Sequence, residues 1–318
     1  MSYDDIIDVA DLDCIYLSYD EPQKEEFWVK IKNMVPYAKR VDGVKGSDAA
    51  HKAAAEASDT ERFILIDGDN MPDEDFFNLQ LDFRGLDSNY KLAQFRWKAI
   101  NNINGLRYGN GGMSSWTKDY VMNMKTHEAQ KEGDITRIAD FCLDSTDNLY
   151  WAMYDCYSTT YPNQTPFQAW RAGFREGVKM VLDRGARPTV DDFKNRVATR
   201  NLNNLTIWHN VGMDVDNGDW AIYGARLGTY MTLLTDWDHQ QVMWFDTLHR
   251  MWDGIFKHMR PVSEGDRIGK ILKDKLDLPI CRLDAEQSKF FKRHYNADKH
   301  NMGPLVKEMD VIRKIEGW

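Results

Sequence analysis

Two carboxylates directly follow a short apolar segment in the first quarter of the chain. Residues 62–66 read Arg-Phe-Ile-Leu-Ile, and Asp67-Gly68-Asp69-Asn70 follow at once. An apolar segment of this length with β-branched residues predicts a buried strand, and open α/β sheets bind ligands just beyond the carboxyl ends of such strands. Two carboxylates there suit Mg²⁺ or Mn²⁺ held partly by substrate phosphates, although a plain β-turn favours the same residue types.

The segments on either side of this motif predict the fold that positions it. The pattern indicates strands over residues 12–18, 37–41 and 62–66, with helices over 24–34 and 48–57 between them. A strand–helix alternation of this kind produces a mostly parallel sheet with helices on its faces. We therefore expect an α/β protein in which the acidic motif lies at the carboxyl edge of the sheet.

The remainder of the chain predicts further elements. Residues 101–112 are rich in glycine and asparagine, which predicts a loop or hairpin. Elsewhere, helical spacing of apolar residues indicates helices, and alternating or short apolar segments indicate strands. The helices are expected over 73–81, 119–124, 165–182, 191–200 and 220–234, and the strands over 92–99 and 141–144, with a strand or loop over 207–212.

Composition limits the class of protein. Of the 318 residues 42% are hydrophobic, which suffices for a full core, and the net charge of −9 argues against a globally basic nucleic-acid binder. No apolar segment reaches the length of a transmembrane helix, so we expect no membrane partner. The four cysteines lack metal-type spacing and the first residues are acidic, which together predict a reduced, cytoplasmic protein.

A glycine-led, alanine-rich segment precedes the acidic motif. Residues 43–54 read Gly-Val-Lys-Gly-Ser-Asp-Ala-Ala-His-Lys-Ala-Ala, and the strand that ends in the two carboxylates follows shortly afterwards. This arrangement resembles the family-2-type glycosyltransferases, most clearly over residues 12–70, less closely through 112 and only thinly beyond. The resemblance implies a GT-A-type, Rossmann-like, mostly parallel sheet flanked by helices, with a helical C-terminal extension. The implied glycosyltransferase domain spans 1–235, with a nucleotide-sugar half over about 1–112 and an acceptor half over about 113–235, and a helical, relatively basic region spans 236–318.

The same resemblance implies a UDP-sugar donor and a divalent metal, Mn²⁺ or Mg²⁺. Asp67 and Asp69 would hold the metal, and His209 is the candidate third ligand, as a downstream histidine is in many such enzymes. A structural role is the alternative for His209, and turn or surface positions are the alternative for the donor residues. The residues expected at the donor are Ser18, Tyr19 and Asp20 beside the nucleoside, Lys45, Asp48, His51 and Asp67 near the phosphates, and Gly111 and Gly112 beside the sugar.

The acceptor half offers two candidates for a general base. Sugar transfer with inversion needs a carboxylate near the acceptor hydroxyl. Asp144 and Asp155 follow the glycine-rich segment and carry this expectation. Helix caps or surface positions are the alternative for both residues.

Three further segments, residues 16–22, 40–46 and 220–228, resemble the glycosyltransferases of T-even-like bacteriophages. Some such enzymes modify hydroxymethylcytosine in DNA, arabinosylation included, which implies a double-stranded DNA acceptor and the host-cell cytoplasm. From residue 257 onward the chain has 14 lysines and arginines against 10 acidic residues. A basic segment interleaved with aromatics in this region can pair with phosphates and stack on an extruded base. The predicted DNA contacts are Lys289, Lys292, Arg293 and Tyr295.

Two other functions stay open on the sequence. A glycosyltransferase with a protein, glycan or small-molecule acceptor would keep the donor site, and the basic segment would then be an amphipathic surface helix. A catalytically silent sugar-nucleotide-binding module would keep the donor site without transfer. Activity that is lost in Asp69→Ala would separate both enzymes from the silent module.

Overall fold

The computed structural model describes residues 6–86, 91–124, 126 and 150–295, and over these ranges the chain is an α/β protein. Short strands and helices alternate in the first third, and helices dominate from residue 166 onward. The strands are β1 Ile6–Asp8, β2 Asp13–Ser18, β3 Lys39–Asp42, β4 Arg62–Asp67, β5 Asn70–Pro72, β6 Gln80–Asp82, β7 Gln94–Asn101, β8 Arg107–Thr117 and β9 Tyr150–Thr160. The helices are α1 Lys24–Met34, α2 Ser47–Ala57, α3 Lys118–Asn123, α4 Pro166–Lys179, α5 Phe193–Arg196, α6 Thr199–Asn210, α7 Gly218–Leu234, α8 Phe245–Gly254, α9 Pro261–Leu276 and α10 Ala285–His294.

The main sheet has seven strands in the order β3-β2-β4-β8-β7-β9-β5. The pairs β2–β3, β2–β4 and β7–β9 are parallel, whereas β4–β8, β7–β8 and β5–β9 are antiparallel. The described sheet is therefore mixed, and the expectation of a mostly parallel GT-A sheet is not confirmed. The difference arises because the glycine-rich segment extends into a long strand, β8, which returns antiparallel between β4 and β7.

The predicted order of elements is confirmed over residues 12–67, whereas β1 at residues 6–8 was not predicted. The helix expected over 24–34 is α1, and the strands expected over 12–18 and 62–66 are β2 and β4 to within one residue. Two predictions are wrong: residues 74–78 form a short 3-10 helix followed by β6, and residues 207–210 belong to helix α6. The strand expected over 141–144 lies outside the described residues.

Both faces of the sheet are covered by helices. Alternate residues of β4 point to opposite faces, so Ile64 and Ile66 pack with Phe27 and Ile31 of α1. Leu65 packs on the other face, where α2 and α3 contribute their apolar residues. By the same alternation Asp67 follows Leu65 on the α2 side of the sheet.

A second core is built from helices alone, and it extends across residue 235, where a boundary was expected. It contains apolar side chains of α4, α6 and α7 together with those of α9. Arg226 of α7 is buried in it and donates hydrogen bonds to the carbonyl oxygens of His209 at 3.0 Å, Gly265 at 2.9 Å and Cys281 at 2.9 Å. The packing therefore continues from α7 into the C-terminal helices.

Helices α4 and α7 approach each other closely through glycine. A Cβ on Gly173 would overlap the carbonyl oxygen of Ala221, and one on Gly224 would overlap that of Trp170. Only glycine allows backbones to come this near. Among the described helices, none is both long and apolar enough to traverse a lipid bilayer.

Candidate functional site

The acidic motif lies at the carboxyl end of β4, in a turn that is held from two sides. Asp67 is the last residue of β4. The phenol of Tyr16 donates to the carbonyl oxygen of Gly68 at 2.8 Å, and the backbone N–H of Tyr161 donates to that of Asp69 at 2.8 Å. The turn that carries both carboxylates is thus fixed to β2 and to the end of β9.

The side chain of Asp67 is half-buried beside a cation and a backbone donor. Burial raises the pKa of its carboxyl group, because a charged carboxylate is disfavoured away from water. The positive charge of Arg96 and the backbone N–H of Gly112 act against this rise. Asp67 therefore keeps a strong preference for a positively charged neighbour.

Asp69 has a similar environment, and the charge of Asp67 also affects its pKa. Burial raises the pKa of Asp69, and the charge of Asp67 raises it further. Hydrogen bonds from Asn70, at 3.2 Å, and from Thr160 lower it, as does the charge of Arg171. Two half-buried carboxylates that repel each other are stabilised by a cation between them.

A third carboxylate, Glu21, lies against this turn. A Cβ built on Gly68 would come within 2.5 Å of the Glu21 carboxyl group, so only glycine fits between them. Burial raises the pKa of Glu21, its hydrogen bond from the Tyr19 N–H at 2.7 Å lowers it, and the charges of Asp69 and Asp20 raise it. Glu21 was not predicted at the site, although it directly follows Asp20 in the same turn signal.

The residues expected beside the nucleoside divide into two groups. Tyr19 is 40% exposed and Asp20 is exposed, so both remain accessible at the end of β2. Ser18 is buried, and its hydroxyl donates to Asp42 at 2.7 Å and accepts from Arg40 at 3.0 Å. Ser18 therefore positions the ends of β2 and β3.

The residues expected near the phosphates surround the start of α2. Lys45 is exposed in the loop that precedes this helix. Asp48 forms an ion pair with Lys52 at 2.7 Å. His51 bonds the Ser47 carbonyl oxygen through Nδ1 at 2.8 Å, and its ring meets the Trp116 ring edge-on at a centroid distance of 5.7 Å. Of the three, Lys45 is the side chain exposed to an incoming phosphate.

Gly112 lies in β8 next to the acidic motif, and its expected contact with the donor sugar stays a prediction. Its φ of +105° belongs to the region that favours glycine, and a Cβ would overlap the side-chain amide of Asn70. Asn70 also accepts from the Ser158 hydroxyl at 2.9 Å. Gly111 is the preceding residue of the same strand.

The structure gives His209 a role away from the acidic motif. His209 lies in helix α6, is 1% exposed, and its Nε2 is 3.1 Å from the Thr229 hydroxyl. Burial lowers its pKa to about 3, and the charge of Arg226 contributes. The expectation of a third metal ligand is corrected on this point, since the residue is a packed core histidine bonded to Thr229 and is not grouped with the two carboxylates among the described residues.

One of the two candidate bases can be placed. Asp155 is half-buried in β9 and accepts from the Tyr157 phenol at 3.4 Å. Its assignment as a base stays a prediction. Asp144 lies outside the described residues.

The predicted DNA-binding residues lie on or next to α10 and point in different directions. Lys289 and Arg293 are exposed. Lys292 is turned inward, where its ammonium forms an ion pair with Asp214 at 2.6 Å. The Tyr295 ring stacks on Phe291 at 4.9 Å, so the exposed aromatic of this helix is Phe290, at 59% exposure. The basic surface that the helix presents is therefore Lys289, Phe290 and Arg293.

The ligand atoms that the acidic motif offers determine which kind of metal it could hold. Within the described ranges no three His, Cys, Asp or Glu side chains are grouped as a metal centre would need. Asp67 and Asp69 supply oxygen donors, so they fit a hard divalent cation completed by substrate phosphates and water, as Mg²⁺ sites often are. They do not fit a metal enclosed by protein ligands.

Comparison with known proteins gives no relative. No protein-family model, no curated protein and no solved structure matches the chain.

Proposed function

We propose that the protein is a metal-dependent glycosyltransferase that moves a sugar from a UDP-sugar to hydroxymethylcytosine in DNA. The observation that carries this proposal is the pair Asp67 and Asp69. They lie together at the carboxyl end of β4, half-buried and mutually repelling, with a third carboxylate, Glu21, beside them. Such a pair favours a divalent cation, and open sheets bind nucleotides at this edge.

The groups around the pair support a nucleotide-sugar donor. Exposed Tyr19 offers a ring for the base, and exposed Lys45 offers a charge for a phosphate. The backbone N–H of Gly112 donates to Asp67, and the missing side chain makes room for the Asn70 amide. These groups come from the ends of β2 and β3 and from β8, and so line one edge of the sheet.

The reaction exchanges one bond at the sugar for another. The bond between C1 and the β-phosphate oxygen breaks, its electron pair goes to the diphosphate, and a bond forms between C1 and the acceptor oxygen. The hydroxyl proton passes to a base, for which Asp155 is the described candidate. A divalent cation on Asp67 and Asp69 would neutralise charge on the departing diphosphate, which is worth several kcal/mol in the transition state.

The DNA acceptor is supported by the resemblance and by α10. Lys289 and Arg293 flank the exposed ring of Phe290, and His294 stacks on that ring at 4.1 Å. Basic residues around an exposed aromatic suit phosphate pairing and base stacking. Arabinose is the sugar that the resemblance suggests.

The donor site is tested by thermal unfolding with UDP and Mn²⁺. We expect the two together to raise the Tm of the wild type and of Asp191→Ala, which removes an exposed aspartate. The shift should vanish in Asp69→Ala. An equal shift in all three proteins, or none in the wild type, contradicts the donor site.

The transfer itself is tested by mass. Hydroxymethylcytosine DNA and unmodified DNA are each incubated with the protein, a panel of UDP-sugars and Mn²⁺. The DNA is then digested to nucleosides, whose masses are measured by mass spectrometry. We expect a mass gain on hydroxymethylcytosine alone, lost in Asp69→Ala. UDP-sugar hydrolysis without a gain on either DNA rejects the DNA acceptor and favours another glycosyl acceptor, whereas donor binding without hydrolysis or transfer favours the silent module.

A further inference from the structure

Two arginines on α4 lack the partners that buried cations ordinarily have. Arg171 and Arg175 are both half-buried. In the part of the chain that the structure describes, neither guanidinium has an ion-pair or hydrogen-bond partner. Arginine is seldom removed from water unless it is paired, because its charge must be compensated.

The packing of α4 fixes where these arginines lie. Residues four apart share one face of a helix, so Arg171 and Arg175 lie side by side. Gly173 lies between them in sequence and about 160° away around the axis, against α7. The arginines therefore occupy the face of α4 that is turned away from α7. The close glycine contact holds α4 against α7.

Arg171 is oriented and lies near the acidic motif. Its guanidinium sits over the Phe245 ring, 4.7 Å from the centroid. Burial and the charge of Arg175 lower its pKa to about 10, while the charges of Asp69, Asp20 and Glu21 raise it. The backbone N–H of Tyr161, five residues before α4 begins, donates to the Asp69 carbonyl oxygen at 2.8 Å, so the first turns of α4 lie beside the motif. No ion pair joins Arg171 to these carboxylates among the described residues.

Two adjacent guanidinium groups without ion-pair partners among the described residues suit an anion with more than one negative charge. Two neighbouring cations that repel each other gain from a shared anion, and a guanidinium binds phosphate through two parallel hydrogen bonds. A diphosphate would have a cation at Asp67 and Asp69 on one side and the two arginines on the other. A phosphodiester carries one charge and would satisfy the arginines less well.

We propose that Arg171 and Arg175 bind the diphosphate of the nucleotide-sugar donor and stabilise it as the leaving group. This inference rests on the proposed function, since it assigns the diphosphate subsite of the same centre. When the C1–oxygen bond breaks, the diphosphate gains one negative charge. That charge develops where both guanidinium groups can accept it.

The test is calorimetry with UDP and with uridine, each in the presence of Mn²⁺. We expect Arg171→Gln to weaken UDP binding about tenfold or more while uridine binding stays unchanged. Arg175→Gln should act in the same direction. The matched control is Arg200→Gln, which removes an exposed arginine in the first turn of α6 and should bind UDP as the wild type does.

A second readout separates ligand binding from a structural role. Without ligand, Arg175→Gln should melt at a higher temperature than the wild type, because it removes one of two unpaired cations. A structural arginine would give the opposite sign. If Arg171→Gln does not fold, Arg171→Lys keeps the charge and should still weaken UDP binding, since an ammonium lacks the paired donors.

The outcomes distinguish this inference from the function on which it rests. If the wild type binds UDP and both glutamine variants bind it within about twofold, the arginine subsite is wrong and the donor site stands. If the wild type does not bind UDP, both fail together. If the variants lose affinity for DNA and not for UDP, the arginines contact the acceptor and the inference is overturned.

Discussion

The ammonium group of Lys292 lies 2.6 Å from a carboxylate oxygen of Asp214, and this ion pair attaches α10 to the loop before α7. The side chains are only 18% and 11% exposed. Lys292 also donates to the carbonyl oxygen of Asn102 at 3.2 Å, in the turn between β7 and β8. A lysine that the sequence assigned to DNA is thus a link between the helices and the sheet.

Replacing Lys292 with Met should therefore destabilise the protein. The largely buried Asp214 carboxylate would lose the cation that compensates its charge, which we expect to cost about 1–3 kcal/mol in the free energy of unfolding. Lys289→Met is the control, because Lys289 is exposed on the same helix. It should leave denaturant unfolding unchanged and weaken DNA binding, with a shallower salt dependence. Equal stability of the two variants would contradict this assignment.

Asp69→Asn should stabilise the ligand-free protein and abolish its activity. The folded state raises the pKa of Asp69, so at neutral pH its charge disfavours folding; that unfavourable contribution disappears as the pH falls below the folded-state pKa. We expect Asp69→Asn to have a higher Tm than the wild type at pH 7, with the difference shrinking toward pH 4. Transfer should fall about 100-fold or more as metal stabilisation of the transition state is lost. A lower Tm at pH 7 would contradict the electrostatic argument.

Gly173→Ala should disrupt the contact between α4 and α7. Its Cβ would overlap the Ala221 carbonyl oxygen, which cannot move without shifting α7, and we expect a loss of about 1–3 kcal/mol or more. Gly254→Ala is the matched control, since a Cβ there has no neighbour within 4 Å. It should be neutral or up to about 1 kcal/mol stabilising, as alanine favours helix. Chemical denaturation of both variants measures the difference.

His209 should contribute to acid sensitivity and not to metal binding. Burial lowers its pKa to about 3, so between pH 6.5 and 3 the unfolded chain binds a proton that the folded chain does not. The stability that neutral His209 provides is present above pH 6.5 and is lost as the pH falls, by at most about 1.4 kcal/mol per pH unit. His209→Gln should flatten this slope and leave Mn²⁺ affinity unchanged. A tenfold or larger loss of Mn²⁺ affinity, about 1.4 kcal/mol, would restore the ligand assignment.

Local patterns in the sequence predicted the elements of residues 12–67 well. Helix α1 follows from its apolar stripe, with Phe27 and Ile31 inward, and β4 follows from an apolar segment that ends in carboxylates. The acidic pair was found because its two members are neighbours in the chain. Each of these features is set within about one turn or one strand, where local pattern dominates.

The features that were not predicted share one cause: contacts with residues distant in the sequence determine them. The 101–112 segment does form the hairpin that was one of its two predicted forms, but the extent of β8 and its place between β7 and β4 depend on pairing with a strand distant in the chain. Arg171 was overlooked because its neighbours in sequence are core aromatics, and its proximity to Asp69 arises only when α4 packs. Lys292 and Lys289 differ by three positions, yet contact with Asp214 turns only Lys292 inward.

The guanidinium of Arg226 has acceptors on both sides of residue 235, and this limits how the gene can be shortened. His209 lies before that point, whereas Gly265 and Cys281 lie after it. A polypeptide that stops at 235 would deprive this buried guanidinium of three acceptors, the carbonyl oxygens of Gly265 and Cys281 and the carboxylate of Asp266. The segment that supplies them is therefore not a detachable appendage, because its removal would leave a charged group uncompensated inside the protein.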